Sequence, residues 1–463
     1  VLFPTITFAL FFPIVLVLNW WLMPRQSLWK PFVVVASYIF YASANWRFCI
    51  LLGGVTLTNQ AFAKLIHRTE DERRRKWLVA ACVAIDLGVL AVFKYYAFFV
   101  QDIDRVLSAV SLSLPLPLLT IALPVGVSFF TFQAISYTVD VKRRLIEPAS
   151  TLDVAIYLSF FPHLVAGPIV RAREFLPQLV TPRDPRRVAV GPGVGLICLG
   201  LVKKVVIADY LARAIVDPVF AVPDLYGAAD VAMASYAYAA QIYCDFSGYT
   251  DMAIGLALLM GFVFPQNFNR PYRATGFRDF WRRWHMTLSR FLRDFVYIPL
   301  GGNRGGRLKT YRNLMATMVL GGLWHGAAWN FVLWGAFHGG GLVTEHALGG
   351  RVRLPRWVKW LVTFHLVVFG WILFRSQDLS LVGDFLSRLV VFDAPTLVTV
   401  PVVLAVLVVI GGQLLPERPL EGLALRFERA PAVVLGAALA VLVLFVAATV
   451  PSQGVPPFIY FRF

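Results

Sequence analysis

Charge is scarce in this chain, and acidic charge scarcest. Only 15% of the 463 residues are Asp, Glu, Lys or Arg, and 43 basic residues face 26 acidic ones. A soluble domain carries about 25% charged residues, so no conventional soluble surface is available. No polar block is long enough to form a separate soluble domain. Cysteine is scarce as well. Cys49, Cys82, Cys198 and Cys244 lie in apolar surroundings and form no C-x-x-C pair. That spacing excludes a disulfide framework and a zinc site, and no metal centre is expected. No internal repeat recurs, which weighs against a transporter built from duplicated halves.

What is abundant is apolar sequence. Hydrophobic residues make up 58% of the chain, and the mean hydropathy is +0.69. Apolar runs of membrane-crossing length recur from end to end. The expected fold is therefore an all-helical polytopic membrane protein with roughly 11–13 membrane segments, some re-entrant. One membrane domain spanning 1–463 is expected, with scaffold helices in 1–240, a catalytic core in 241–346, and helices and a tail in 347–463. The formal charge of +17 would suit nucleic acid in a soluble protein. Here Lys and Arg fall mainly in short loops between apolar runs, the positive-inside pattern. Membrane lipid, not nucleic acid, is the partner this implies.

The runs can be taken in order. Residues 2–22 form a first span, too long for a signal-peptide core. Spans follow at 32–44, 48–63 and 77–100. The basic loop 64–76 should be cytoplasmic, which places the N-terminus outside. Asp86 and Lys94 sit inside an apolar run, as a buried pair or as side chains reaching for the interface. Prolines 115, 117 and 124 suggest an unwound segment, and the short run 154–165 suggests a re-entrant one. Residues 190–216 form a span with Lys203 and Lys204 near its middle, followed by a long helix over 233–264. Residues 277–300 place Phe280, Trp281, Trp284, Leu288, Phe291, Leu292 and Phe295 on one face of a single amphipathic helix at the cytoplasmic interface. Spans at 311–333, 334–346, 357–374, 381–391, 400–415 and 432–450 complete the chain.

Polar chemistry concentrates between Gln241 and His346, which hold four of the seven histidines. Ionisable groups at membrane depth are costly and usually mark function. Asp245, Ser247 and Asp251 lie in an otherwise apolar helix. Six residues separate the two aspartates, so they do not share a face. They read as a satisfied polar network bonded to backbone or arginine, or as catalytic carboxylates. His325, set among glycines and tryptophans, reads as a structural histidine or as a neutral imidazole able to take a proton from a hydroxyl attacking an acyl group. His285 could join it across two helices or mark the edge of an interfacial helix. His338 suits a packing role, and His67 and His346 look peripheral. Residues 267–313 carry eleven Arg or Lys against two Asp. With the glycine-rich loop 301–306 they would suit a phosphate-bearing acyl donor such as a coenzyme A thioester. Arg282, Arg283, Arg304, Trp324 and Asn330 are the candidate donor-site residues.

Several motifs recur in a fixed order. They are Phe161-Pro-His-Leu-Val-Ala-Gly-Pro-Ile-Val-Arg171, Gln241-Ile-Tyr-x-Asp-Phe-Ser-Gly-Tyr-x-Asp-Met-Ala-Ile-Gly255, Asn267-Phe-Asn-Arg-Pro-Tyr272, Phe280-Trp-Arg-Arg-Trp-His-Met-x-Leu-Ser289, Tyr297-Ile-Pro-Leu-Gly-Gly-Asn-Arg304, Gly322-Leu-Trp-His-Gly326 and Pro457-Phe-Ile-Tyr-Phe461. Together they resemble the membrane-bound O-acyltransferase family, in particular its bacterial alginate O-acetyltransferase-like subgroup. Cys244 stands where relatives often carry an aromatic residue.

The resemblance implies a ring of tilted helices around a thin centre pierced by a tunnel. It maps the family's invariant histidine to His325 and its second active-site histidine to His285. It implies a cytoplasmic donor, acetyl-CoA or another acyl thioester, with no bound cofactor. It implies a bacterial inner membrane location. It also implies an extracytoplasmic, esterase-like (SGNH-type) acetyltransferase partner that modifies a polysaccharide such as alginate, so the polymer is met only indirectly. Two alternatives remain open: an enzyme of this fold acylating a lipid, a protein or another cell-wall polymer, and a transporter or flippase of a polysaccharide precursor.

Overall fold

A computed structural model describes residues 3–109, 122–351, 353–376, 378–416 and 430–449. The described residues are helical, with no strand among them. Four helices are long and apolar enough to cross a membrane: Arg47–Arg68, Glu72–Asp104, Val190–Ala221 and Arg356–Arg375. Ile6–Leu22, Val400–Gly412 and Val433–Val446 are apolar but shorter. Multi-pass insertion follows from these helices. The proline-broken segment expected near residue 115 and the tail motif at 457–461 lie largely or wholly outside the described residues.

Contacts divide the chain into two compact units, 1–193 with 253–264 and 194–252 with 265–463. The first unit is organised around Val127–Lys142, a helix buried nearly all round. An apolar neighbour cannot satisfy its polar side chains, so they bond across helices. Tyr137 donates to Gln60 Oε1 at 2.7 Å, and Thr138 donates to Asn59 Oδ1 at 2.8 Å. Asp86, expected to pair with Lys94 or to reach for the interface, instead accepts a hydrogen bond from Asn59 Nδ2 at 2.8 Å. The guanidinium of Arg183 stacks over Phe262 and Trp29, at 3.8 and 4.8 Å from the ring centres. The expected short segment at 154–165 is two pieces, Thr151–Ser159 and Phe161–Leu164.

The second unit holds every candidate site residue. Ala228–Leu259 is one helix of 32 residues, and it carries Asp245, Ser247 and Asp251. Arg307–His325 and Trp329–Leu348 form an antiparallel hairpin packed along its length. Glycines permit that approach. A Cβ on Gly322 would sit 2.2 Å from the Phe331 carbonyl oxygen, and one on Gly335 would sit 2.4 Å from that of Met318. Close backbone contact through small residues is the usual means of helix association where lipid removes the hydrophobic drive.

The single amphipathic helix expected over 277–300 is interrupted. Phe277–Trp281 and Met286–Leu292 are separate helices, and a π-helical turn, Arg293–Tyr297, follows. The predicted face is buried even so, from Phe280 through Leu292. Apolar spacing identifies the face but is blind to a break that re-aims one residue within it.

Candidate active site

The break in the 277–300 segment places His285. This residue adopts φ 41°, ψ 54°, the left-handed region. A non-glycine residue there costs on the order of 1 kcal/mol and persists where the surroundings demand it. The turn drives the imidazole into the interior, where it is fully buried.

Its orientation follows from Asn267. The Asn267 side-chain oxygen accepts from the Thr287 N–H at 3.1 Å and from the Thr287 hydroxyl at 2.9 Å. A backbone N–H can only donate, so this atom is the amide oxygen. His285 Nδ1 lies 3.2 Å from the same oxygen and so carries a proton. Nε2 is buried and without a hydrogen-bond partner. The ring packs edge-on against Phe246 at 4.7 Å, and Trp324 lies 5.9 Å away.

His325 is the last residue of Arg307–His325 and is also buried. The chain turns sharply at Gly326, where a Cβ would fall 2.0 Å from the Phe331 ring. Trp324 and Trp334 each lie 5.0 Å from the His325 ring, and Phe374 lies 5.2 Å away. Trp324 thus neighbours both imidazoles. These rings enclose His325 on several sides.

An arginine-rich cavity of about 410 Å³ opens beside this core. Arg278, Arg282, Arg290 and Arg293 line it together with Trp281 and Met318. A second cavity, of about 640 Å³, shares Arg278, Tyr297, Leu314 and Leu342 with the first and adds Lys359, His346 and Glu345. The Arg278 backbone N–H donates to the Glu345 carboxylate at 3.0 Å, but the guanidinium groups of Arg278 and Arg282 form no salt bridge among the described residues. Their charge faces open space. That arrangement suits an anionic ligand.

The other candidates are placed differently. Arg283 is tied to Asp279 at 2.8 Å, and Arg304 is exposed on the glycine-rich loop and lines neither cavity. The Asn330 amide donates to the Ser376 carbonyl at 2.8 Å, holding the end of Arg356–Arg375. Asp245 and Asp251 bond to lysines. Lys204 Nζ lies 2.6 Å from Asp245 and 2.7 Å from Asp209, and Lys203 Nζ lies 2.7 Å from Asp251. Ser247 is buried in the same helix. Periodicity did not single out Asn267, Trp334, Arg278, Arg290 or Arg293, though it placed Trp281 on the buried face of 277–300. Asn267 and Trp281 lie in quoted motifs, and the four-residue step from Trp334 to His338 was the available signal for that pair.

Two buried imidazoles thus contact one indole beside a cationic cavity in a helical membrane protein. The chain belongs to the membrane-bound O-acyltransferase family, whose pattern it matches over residues 75–375. It is 44% identical over 353 residues to the probable alginate O-acetylase AlgI of Pseudomonas aeruginosa, covering 75% of this chain and 67% of that one. It is 37% identical over 386 residues to the peptidoglycan O-acetyltransferase of Helicobacter pylori, covering 76% and 72%. A more distant similarity, 27% over 272 residues, covering 54% of this chain and 68% of the other, joins it to the teichoic acid D-alanyltransferase of Bacillus subtilis.

Proposed function

We propose that this protein relays an acetyl group from a cytoplasmic thioester, acetyl-CoA, across the bacterial inner membrane for O-acetylation of an exopolysaccharide of the alginate type. In this reading the N-terminus is extracytoplasmic, and an SGNH-type acetyltransferase outside the membrane passes the group to the polymer. The alginate O-acetylases among its relatives support the polymer class. The carrying observation is the pairing of buried His325 and His285 with the arginine-lined cavity.

Each part has a role. Arg278 and Arg282, with Arg290 and Arg293, hold the phosphates of the donor at the cavity. His325 takes the proton of the attacking hydroxyl as it adds to the thioester carbonyl. His285, held by Asn267 through Nδ1, orients the reacting groups beside His325. A tunnel through the thin centre of the fold brings donor and acceptor together from opposite sides.

The test is a His325→Ala variant checked for normal membrane insertion. Polymer acetylation in cells should fall by at least about 100-fold, the usual worth of a general base. Acetylation at the wild-type level would overturn the assignment. Thioester consumption that never acetylates an extracytoplasmic polymer would instead favour an enzyme acting on lipid or protein.

A further inference from the structure

Three buried side chains between the arginine-lined cavity and His325 carry nitrogens with nothing to bond. Trp281 lines the cavity, and its indole N–H is buried without a partner. Trp334 lies 5.7 Å from Trp281 and 5.0 Å from His325 between ring centres, and its indole N–H is equally unpartnered. His338, one turn further along the same helix, is fully buried, and neither ring nitrogen has a partner. Its ring lies 5.4 Å from Trp281 and 4.7 Å from Trp334. The helix at Gly370 approaches this ring closely: a Cβ there would come within 2.9 Å of His338 Nε2.

Leaving one buried polar group unsatisfied costs about 1–3 kcal/mol, and native interiors hold few of them. Here three such side chains are in mutual contact. The chemistry of the set is one-sided. An indole N–H can only donate, and a neutral imidazole adds one more N–H. Fixed donors in a dry site match an oxygen that becomes negative during reaction.

We propose that Trp281, Trp334 and His338 stabilise the oxyanion of the acyl transfer, a role that rests on the acyl-transfer reading of His325. The acceptor hydroxyl oxygen bonds to the thioester carbonyl carbon while its proton passes to His325. The carbonyl π pair moves onto oxygen, and that oxygen accepts hydrogen bonds from the two indoles and the imidazole. When the C=O bond re-forms, the C–S bond breaks, and the thiolate leaves and takes the proton from His325.

Phenylalanine at either tryptophan keeps the ring and removes the N–H, which separates this role from packing. The assay is thiol release from acetyl-CoA by inverted membrane vesicles of cells making the acetylated polymer, counting only release absent from His325→Ala vesicles. Trp281→Phe and Trp334→Phe should each lower kcat by about 100-fold with KM for acetyl-CoA unchanged. His338→Asn, which retains an N–H, should recover more activity than His338→Leu. Full kcat in both phenylalanine variants, or a raised KM at unchanged kcat, overturns the proposal. If Trp334→Phe fails to fold, Trp281→Phe at the cavity wall decides the case. Absence of His325-dependent release from wild-type vesicles overturns the parent reading and this one with it. Wild-type release alongside fully active phenylalanine variants overturns this one alone.

Discussion

At the scale of single residues, the site depends on hydrogen bonds that fix protonation states. Asn267 determines which nitrogen of His285 carries the proton, because its oxygen is already committed as an acceptor to Thr287. Asn267→Ala should therefore cost nearly as much activity as His285→Ala, and the double variant little more. Residues acting through one another are non-additive in this way. Rates of His325-dependent thiol release in the four proteins of that cycle test the coupling; full additivity would uncouple Asn267 from the ring. Gly370 is a second single-residue constraint. Gly370→Ala drives a methyl into the His338 imidazole and should destabilise by about 1–3 kcal/mol, as overpacking does. Thermal unfolding in detergent would read that loss.

Helices meet through two devices, small residues and buried ion pairs. A Cβ on Gly200 would sit 2.5 Å from the Gly248 carbonyl oxygen, so Val190–Ala221 and Ala228–Leu259 touch backbone to backbone there. Lys204, buried at the same crossing, holds Asp209 on its own helix and Asp245 on the other. Removing the lysine leaves two carboxylates facing each other out of water. Lys204→Met should lower stability by about 3–5 kcal/mol, seen as loss of monodisperse protein after extraction. A variant as stable as wild type would mean that the crossing does not depend on the pair. The broken 277–300 segment makes a different point about elements. A continuous helix there would carry His285 round with the helical repeat, whereas the left-handed turn sends it inward.

For the whole molecule, function requires a polar ligand to reach a histidine inside an apolar protein. The cationic cavity serves the charged end of that ligand. Arg282→Gln should raise the KM for acetyl-CoA about 10-fold with little change in kcat, the sign of lost uniform binding. Added salt should weaken the wild type more than the variant. Equal KM values would exclude Arg282 from the donor site.

Much of this was legible in the amino-acid order. Composition and run length determined a helical multi-pass membrane protein, since lipid accepts only chains that satisfy their own backbone hydrogen bonds. Ordered motifs pointed to the family and marked His285 and His325, and the apolar spacing of 277–300 identified the buried face. Tertiary structure alone decided the rest. It paired the aspartates with Lys203 and Lys204, withdrew Arg283 into an ion pair, and assembled the cavity from arginines on separate turns. It also brought Trp281 to Trp334 and His338, more than fifty residues apart in the chain. Periodicity reports which face of an element is buried. Which buried polar atoms find partners depends on contacts between elements distant in sequence, and those of Trp281, Trp334 and His338 find none.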